Sequence, residues 1–192
     1  NSEQAEKLYP YLNEENASDV LIELEDDVRE RLLETLEASE IAEKFIDNME
    51  SDDAADIMAE LPDEKKDDVI SLIKDAEQAS DIVDLLNYDE DSAGGLMAKE
   101  LIKVEMDWTI PRCVKEMRKQ AEDIDDVYTI YVVDSKEKLI GTLSLKRLLL
   151  APARSTIEDL YNDDVRSVKA YEDAETVANI MEKYDLVVLP VI

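Results

Sequence analysis

The sequence predicts an α + α/β chain: an N-terminal all-helical superhelical repeat domain, then two tandem β-α-β-β-α units, the second incomplete. Three observations predict it. From Ala17 to Asn87 there is no glycine and one proline, Pro62, and apolar residues such as Val20, Leu21, Leu24, Val28 and Leu32 fall at helical spacing. In that stretch a short phrase recurs at Ala17-Ser18-Asp19-Val20, Ala38-Ser39-Glu40-Ile41, Ala54-Ala55-Asp56-Ile57 and Ala79-Ser80-Asp81-Ile82, the pattern of short stacked helices. Further on, Leu96, Leu101 and Val104 are echoed by Leu160, Val165 and Val168, each at an offset of 64 residues, so the second half repeats itself.

Each helical unit presents apolar residues to its neighbours, such as Phe45, Ile46 and Met49, or Ile57, Met58 and Leu61, and an acidic face to water or ions. Residues 88–95 hold Gly94 and Gly95, two of only three glycines, and mark a linker. The domain boundaries expected are 1–87 for the helical domain, 88–95 for the linker, 96–152 for the first β-α-β-β-α unit and 153–192 for the second. Residues 101–104 read as a strand, 110–121 as an amphipathic helix, and 128–134, dense in β-branched and aromatic residues, as a buried strand. Residues 139–143 supply a hairpin partner and 145–150 a short helix. In the second unit, Val177, Ile180 and Met181 mark a helix and residues 186–192 a strand. Met97, Met106, Trp108, Met117 and Tyr131 read as core.

Composition narrows function. The chain carries 50 Asp and Glu against 21 Lys and Arg, a net charge of -29, which repels nucleic acid and anionic lipid alike. A nucleic-acid partner is therefore not expected, and cations are. There is no His and one Cys, Cys113, which removes His-dependent triads, zinc sites and disulfide frameworks. With acids everywhere, no carboxylate pair stands out as a catalytic dyad, and the chain does not read as an enzyme. A lone Cys, no signal-like start and no apolar run near the ~20 residues of a membrane span read as a cytosolic segment.

Paired β-α-β-β-α units of this size resemble CBS domains. The acidic helical repeat, the string Asp89-Glu90-Asp91-Ser92-Ala93-Gly94-Gly95-Leu96-Met97, the phrases Gly141-Thr142-Leu143-Ser144-Leu145 and Tyr184-Asp185-Leu186, and Val188-Leu189-Pro190-Val191 come in an order similar to the N domain and CBS pair of MgtE magnesium transporters. The resemblance implies a homodimer whose cytoplasmic region joins a C-terminal transmembrane pore domain in the cell membrane, with regulatory Mg2+ between the acidic faces of the N and CBS domains. By position it implies Asp19, Asp52 and Asp56 as N-domain ligands, Gly95 through its carbonyl, and Glu182 (backbone) and Asp185 from the second CBS copy. Asp52 and Asp56 are four apart, which on a helix places both on one face. Mg2+ takes six oxygens and keeps several waters, so one or two carboxylates and a carbonyl suit a weak sensor.

Three rival readings accompany this one. Residues 89–100 fit most of an EF-hand loop, with acids at positions 1, 3 and 12 and Gly94 at 6, although Ala93 at position 5 has no side-chain oxygen. CBS pairs often bind ATP or AMP, and Ser144 offers a hydroxyl, but Arg147 stands where nucleotide-binding copies usually place a ribose-binding Asp. A dimerisation scaffold that ignores metal is the third.

Overall fold

In a computed structural model, residues 11, 12, 14–121, 124 and 127–192 are described, so the expected helical domain is seen without residues 1–10. The chain divides into two compact units, one formed by Asn1–Glu90 with Gly95–Lys99 and the other by Asp91–Gly94 with Glu100–Ile192. The architecture is the α + α/β class expected.

The first unit contains, among its described residues, helices α1 (Glu14–Ile22), α2 (Asp26–Thr35), α3 (Ala38–Lys44), α4 (Ser51–Ala59), α5 (Asp63–Ile70) and α6 (Ala76–Leu85), with a 3-10 turn over Ile46–Asn48. Helices this short do not persist alone in water and must be held by packing. α1 packs on α3, α3 on α5 and α4 on α6, so each contact joins a helix to the next but one, the stacking that the repeated phrase implies. Phe45, Ile41, Ile46, Ile57, Met58 and Ile82 are fully buried between them, each contributing roughly 1.5–3 kcal/mol by leaving water.

The phrase itself is only partly core. Ile41, Ile57 and Ile82 are buried, but the matching Val20 is 42% exposed. In α1 the inward face is Ala17, Ser18 and Leu21, and the Ser18 hydroxyl donates to the Asn48 carbonyl at 3.2 Å. Val20 falls outside that stripe by one residue, about 100° of helix.

Acids close several of the helix starts. The Asp75 carboxylate accepts from the Glu77 and Gln78 amides at 2.7 and 3.3 Å, and Glu37 with Glu40 closes a capping box on α3. Asp26 and Asp27, Asp52 and Asp53, and Asp63 and Glu64 occupy first helical turns, where the helix dipole favours negative charge. Part of the acidic composition thus has a local structural cause. Residues 95–99 lie on this unit too: Met97 packs against its core and Lys99 pairs with Asp84 of α6.

The second unit holds a three-stranded sheet in the order β1 (Ile102–Glu105), β2 (Ile130–Val133), β3 (Leu139–Leu143). β1 and β2 are parallel, with Ile102 opposite Ile130, and are joined through α7 (Ile110–Gln120); β2 and β3 form an antiparallel hairpin with Ile130 opposite Leu143. Parallel neighbours need such a crossover, and α7 buries Ile110, Cys113 and Met117 at its inward positions. The hairpin is tied by Asp134, whose Oδ1 accepts from the amides of Lys136 and Lys138 at 2.8 and 3.0 Å. Those two bonds hold its carboxyl below the usual range. α8 (Leu145–Leu150), a 3-10 turn (Ile157–Asp159) and α9 (Ala174–Tyr184) complete the unit.

Trp108 and Met117 are buried, Met97 and Met106 pack at the margins of the two cores, and Tyr131 is half-buried. The strand expected at 186–192 is reduced to one parallel bridge, Val168 to Val191, which repeats the β1–β2 relation. A pair of segments with no third strand is marginal, and Pro190 has no N–H to give to a ladder. α9 buries none of its side chains fully.

Candidate metal site

The site is built on α4. Its inward face, Ser51, Ala54, Ala55, Ile57 and Met58, is buried, and Asp52 and Asp56 lie one turn apart beside it, Asp52 with its Oδ1 out of solvent contact. Glu60, the C-cap, keeps a right-handed helical backbone (φ -73°, ψ -18°), so the row runs Asp52, Asp56, Glu60. Asp52 is half-buried and Asp56 exposed. Partial desolvation pushes the Asp56 carboxyl above its ordinary range; the charge of Asp52 adds to this, then Glu90, with Glu60 contributing and Arg29 opposing. Asp52 and Asp56 therefore sense each other.

Glu90 was not singled out by sequence reasoning, and it connects the row to Gly95. A Cβ on Gly95 would overlap the Asp89 carbonyl oxygen and press on the Glu90 Cα at 3.0 Å, so the backbone there closes to a distance only glycine allows. Its φ is not positive, so space and not a left-handed turn requires the residue. Glu90 thus acts on Asp56 through its charge and lies beside Gly95 through its backbone. Asp19 stands exposed on α1.

Glu182 and Asp185 lie in the other unit, at the end of α9. Asp185 has a left-handed backbone (φ 52°, ψ 48°); its N–H bonds the Glu182 carbonyl at 3.3 Å, and the Leu186 N–H reaches the Met181 carbonyl at 2.9 Å. This is a Schellman ending, which accepts Gly, Asn or Asp most readily, so Asp185 has a backbone reason to be short and polar. The Glu182 carbonyl serves as cap acceptor, with a second lone pair left over. Beside it the Tyr184 ring carries Arg166 at 3.6 Å and Lys183 at 5.1 Å from its centroid.

The chemistry of these donors fits a hard divalent cation: carboxylate and carbonyl oxygens only, with like charges close enough to raise a pKa. The one thiol, Cys113, is buried and its pKa pushed up to about 11 by that burial, so it adds no soft ligand. The EF-hand alternative is overturned, because the loop is followed by strand β1 and not by an exit helix, and Ala93 is buried with its N–H bonded to the Glu172 carbonyl at 2.7 Å. Ser144 caps α8, its Oγ accepting from the Arg147 amide at 3.2 Å, which gives that hydroxyl a structural role.

Arg29 was also missed. Its guanidinium, with the side chain 13% exposed, grips both Glu60 oxygens, Asp26 Oδ1 at 2.8 Å and the carbonyls of Ile22 and Leu24 at 3.3 and 3.1 Å. Glu60 was legible as the next member of an i, i+4 row; its partner, 31 residues away, was not.

Residues 1–91 match the family model of the MgtE intracellular N domain, and residues 93–154 that of the CBS domain. The chain is 41% identical over 108 residues to the magnesium transporter MgtE of Thermus thermophilus, which is 56% of this chain and 24% of that protein. It is 32% identical, also over 108 residues, to the magnesium transporter MgtE of Bacillus subtilis, with the same shares of each chain. The matched stretch thus spans about a quarter of these relatives. Among solved structures, the soluble part of a magnesium transporter superposes with a TM-score of 0.86 at 28% identity, over 100% of this chain and 75% of that one. The cytosolic domain of the Mg2+ channel MgtE in complex with ATP does so with a TM-score of 0.73 at 29% identity, over 100% of this chain and 82% of that one.

Proposed function

The chain belongs to the MgtE magnesium transporter family, and from that premise we propose that it is the Mg2+-sensing regulatory region of such a transporter, on the cytoplasmic side of the cell membrane. No helix among its described residues is long and apolar enough to cross a membrane. The pore it regulates is a C-terminal transmembrane domain, and the working form is a homodimer. Its role is regulation and not catalysis.

The observation that carries the reading is the row on α4, where two carboxylates lie one turn apart and Asp56 is pushed toward protonation by partial desolvation and by the charge of Asp52. Like charges one turn apart on a helix cost about 0.2–0.5 kcal/mol per pair, and less where salt screens them. A cation that bridges acidic faces removes that repulsion. Asp52, Asp56 and the Gly95 carbonyl are the proposed ligands of the first unit, with Asp19 an additional one; Asp185 and the Glu182 carbonyl are those of the second. Bridging ions favour a closed arrangement because only that state supplies oxygens from both faces, and a ligand shifts an equilibrium only by such a preference. High Mg2+ then holds the pore shut, and low Mg2+ releases it.

Small-angle scattering tests this on the purified chain, with MgCl2 raised through the millimolar range against KCl of equal ionic strength. A fall in radius of gyration with MgCl2 alone supports the proposal, and its loss in Asp52→Ala/Asp56→Ala assigns the ligands. Equal curves in both salts would leave a metal-independent dimerisation scaffold as the better account. The ATP-bound relative supports an additional reading in which the CBS unit takes an adenine nucleotide, the exposed Lys146 and Arg147 meeting its phosphates. Calorimetric titration with ATP checks it, and silence there removes it.

A further inference from the structure

Arg29 has five N–H donors, and all five are spent: Nε on Glu60, one terminal nitrogen on the Ile22 and Leu24 carbonyls, the other on Asp26 and Glu60. The fork is anchored at the end of α1 and in the first turn of α2, so it is a fixed group and not a swinging surface arginine. It takes both oxygens of Glu60, the third carboxylate of the α4 row, and has no donor left for Asp52 or Asp56.

We infer that Arg29 shifts the ion preference of the row by withholding Glu60 from it, which leaves an ion one carboxylate fewer beyond Asp52, its neighbour Glu50 and Asp56, and so favours a small, water-retaining divalent cation over a larger one. The physical reason is ligand count. Ca2+ is satisfied by six to eight oxygens and its affinity climbs with the number of charged ligands, whereas Mg2+ keeps several waters and works with one or two carboxylates. Each further carboxylate, here Glu60 one turn from Asp56, therefore gains more for Ca2+ than for Mg2+. The positive charge of Arg29 also acts on Asp56 against the surrounding acids, which weakens either ion. Arg29 is a positioning residue: it touches no ion and decides which oxygens one can reach. The inference rests on the reading of Asp52 and Asp56 as cation ligands.

Calorimetric titrations of the purified chain with MgCl2 and with CaCl2 test it. Arg29→Gln should tighten Ca2+ about tenfold and Mg2+ about threefold, the released Glu60 and the lost positive charge acting together. Adding Glu60→Gln restores the local charge balance of the pair, and both affinities should return to within about twofold of the unsubstituted chain. A purely structural staple would not move the ratio of the two affinities. An unchanged ratio in Arg29→Gln, a gain that survives Glu60→Gln, or a double variant that binds much more weakly than the starting chain each overturns the inference; the last outcome would make Glu60 a ligand already in use. Asp52→Asn/Asp56→Asn is the control for the premise, since binding intact there overturns the site itself whatever Arg29 does. If circular dichroism shows that Arg29→Gln does not fold, Arg29→Lys, which keeps a charge but offers no fork, is read for the same ratio.

Discussion

Asp56→Asn separates the two opposed roles that the α4 row assigns to one carboxylate. Without metal, Asp56 is a liability, because like charges at i, i+4 cost about 0.2–0.5 kcal/mol on a helix and Asp52 lies one turn before it. Asp52 is less suited to the experiment: it occupies the first turn of α4, where loss of a favourable dipole interaction of about 0.3–1 kcal/mol would cancel the relief. Asp56 is one turn further in, so its replacement should stabilise the metal-free helical unit by about 0.3–0.5 kcal/mol, or about 1–4 °C at the usual 4–8 °C per kcal/mol for a domain of this size. With Mg2+ the order reverses. For a dissociation constant of about 1 mM, Mg2+ at about 10 mM stabilises by roughly 1.4 kcal/mol; a tenfold weaker site keeps only about 0.4. Thermal melts in EDTA and in MgCl2, followed by far-UV circular dichroism, should therefore cross: the variant melts higher without metal, the original chain higher with it. Trp108, the only tryptophan, lies in the other unit and reports that unit's transition separately by fluorescence. Curves that keep the same order in both buffers refute the reasoning.

Asp56 also gives a pH dependence whose sign is fixed. Its folded-state pKa is raised, so between about 4 and that raised value the native state binds more protons than the unfolded chain, and its contribution to stability falls as pH rises through the window. The melting-temperature difference between Asp56→Asn and the original chain in EDTA should grow over that interval and level off above it. Gly95→Ala should destabilise the helical unit by about 1–3 kcal/mol in denaturant melts, because the added Cβ meets backbone at Asp89 and Glu90 and not a side chain that can swing away. Asp185→Gly should leave the unfolding midpoint within about 0.5 kcal/mol, since glycine accepts the left-handed end of α9, whereas Asp185→Ala should lose about 1 kcal/mol. If the Asp185 carboxylate is a ligand, the glycine variant nevertheless loses Mg2+-dependent compaction in scattering, which separates its two roles.

What was legible in the sequence follows the range of the interactions involved. Periodicity is local, so the helices, the hairpin and the strand-helix-strand-strand-helix order of residues 102–150 could be read directly, and the i, i+4 spacing of Asp52 and Asp56 placed both on one face of α4. Val20 shows the limit of that reading: it repeats Ile41, Ile57 and Ile82 in sequence but lies outside the buried stripe, where Leu21 is buried instead and Ser18 bonds the Asn48 carbonyl. Asp185 shows a second limit, for a spacing cannot distinguish a carboxylate chosen for metal from one tolerated at a left-handed helix end. Arg29 with Glu60 shows the third, a pairing across 31 residues with no periodic trace. These cases also divide the -29 charge of the chain into kinds. Acids such as Asp75 and Glu37 cap helix N-termini, and Glu60 is neutralised by a fixed guanidinium. Asp52 and Asp56 lie one turn apart, and the charge of Asp52 raises the Asp56 pKa. Only the last kind gives a divalent cation something to relieve, so the response to Mg2+ should follow those few side chains and not the net charge; substituting Glu37 or Asp75 should lower stability equally with and without the ion.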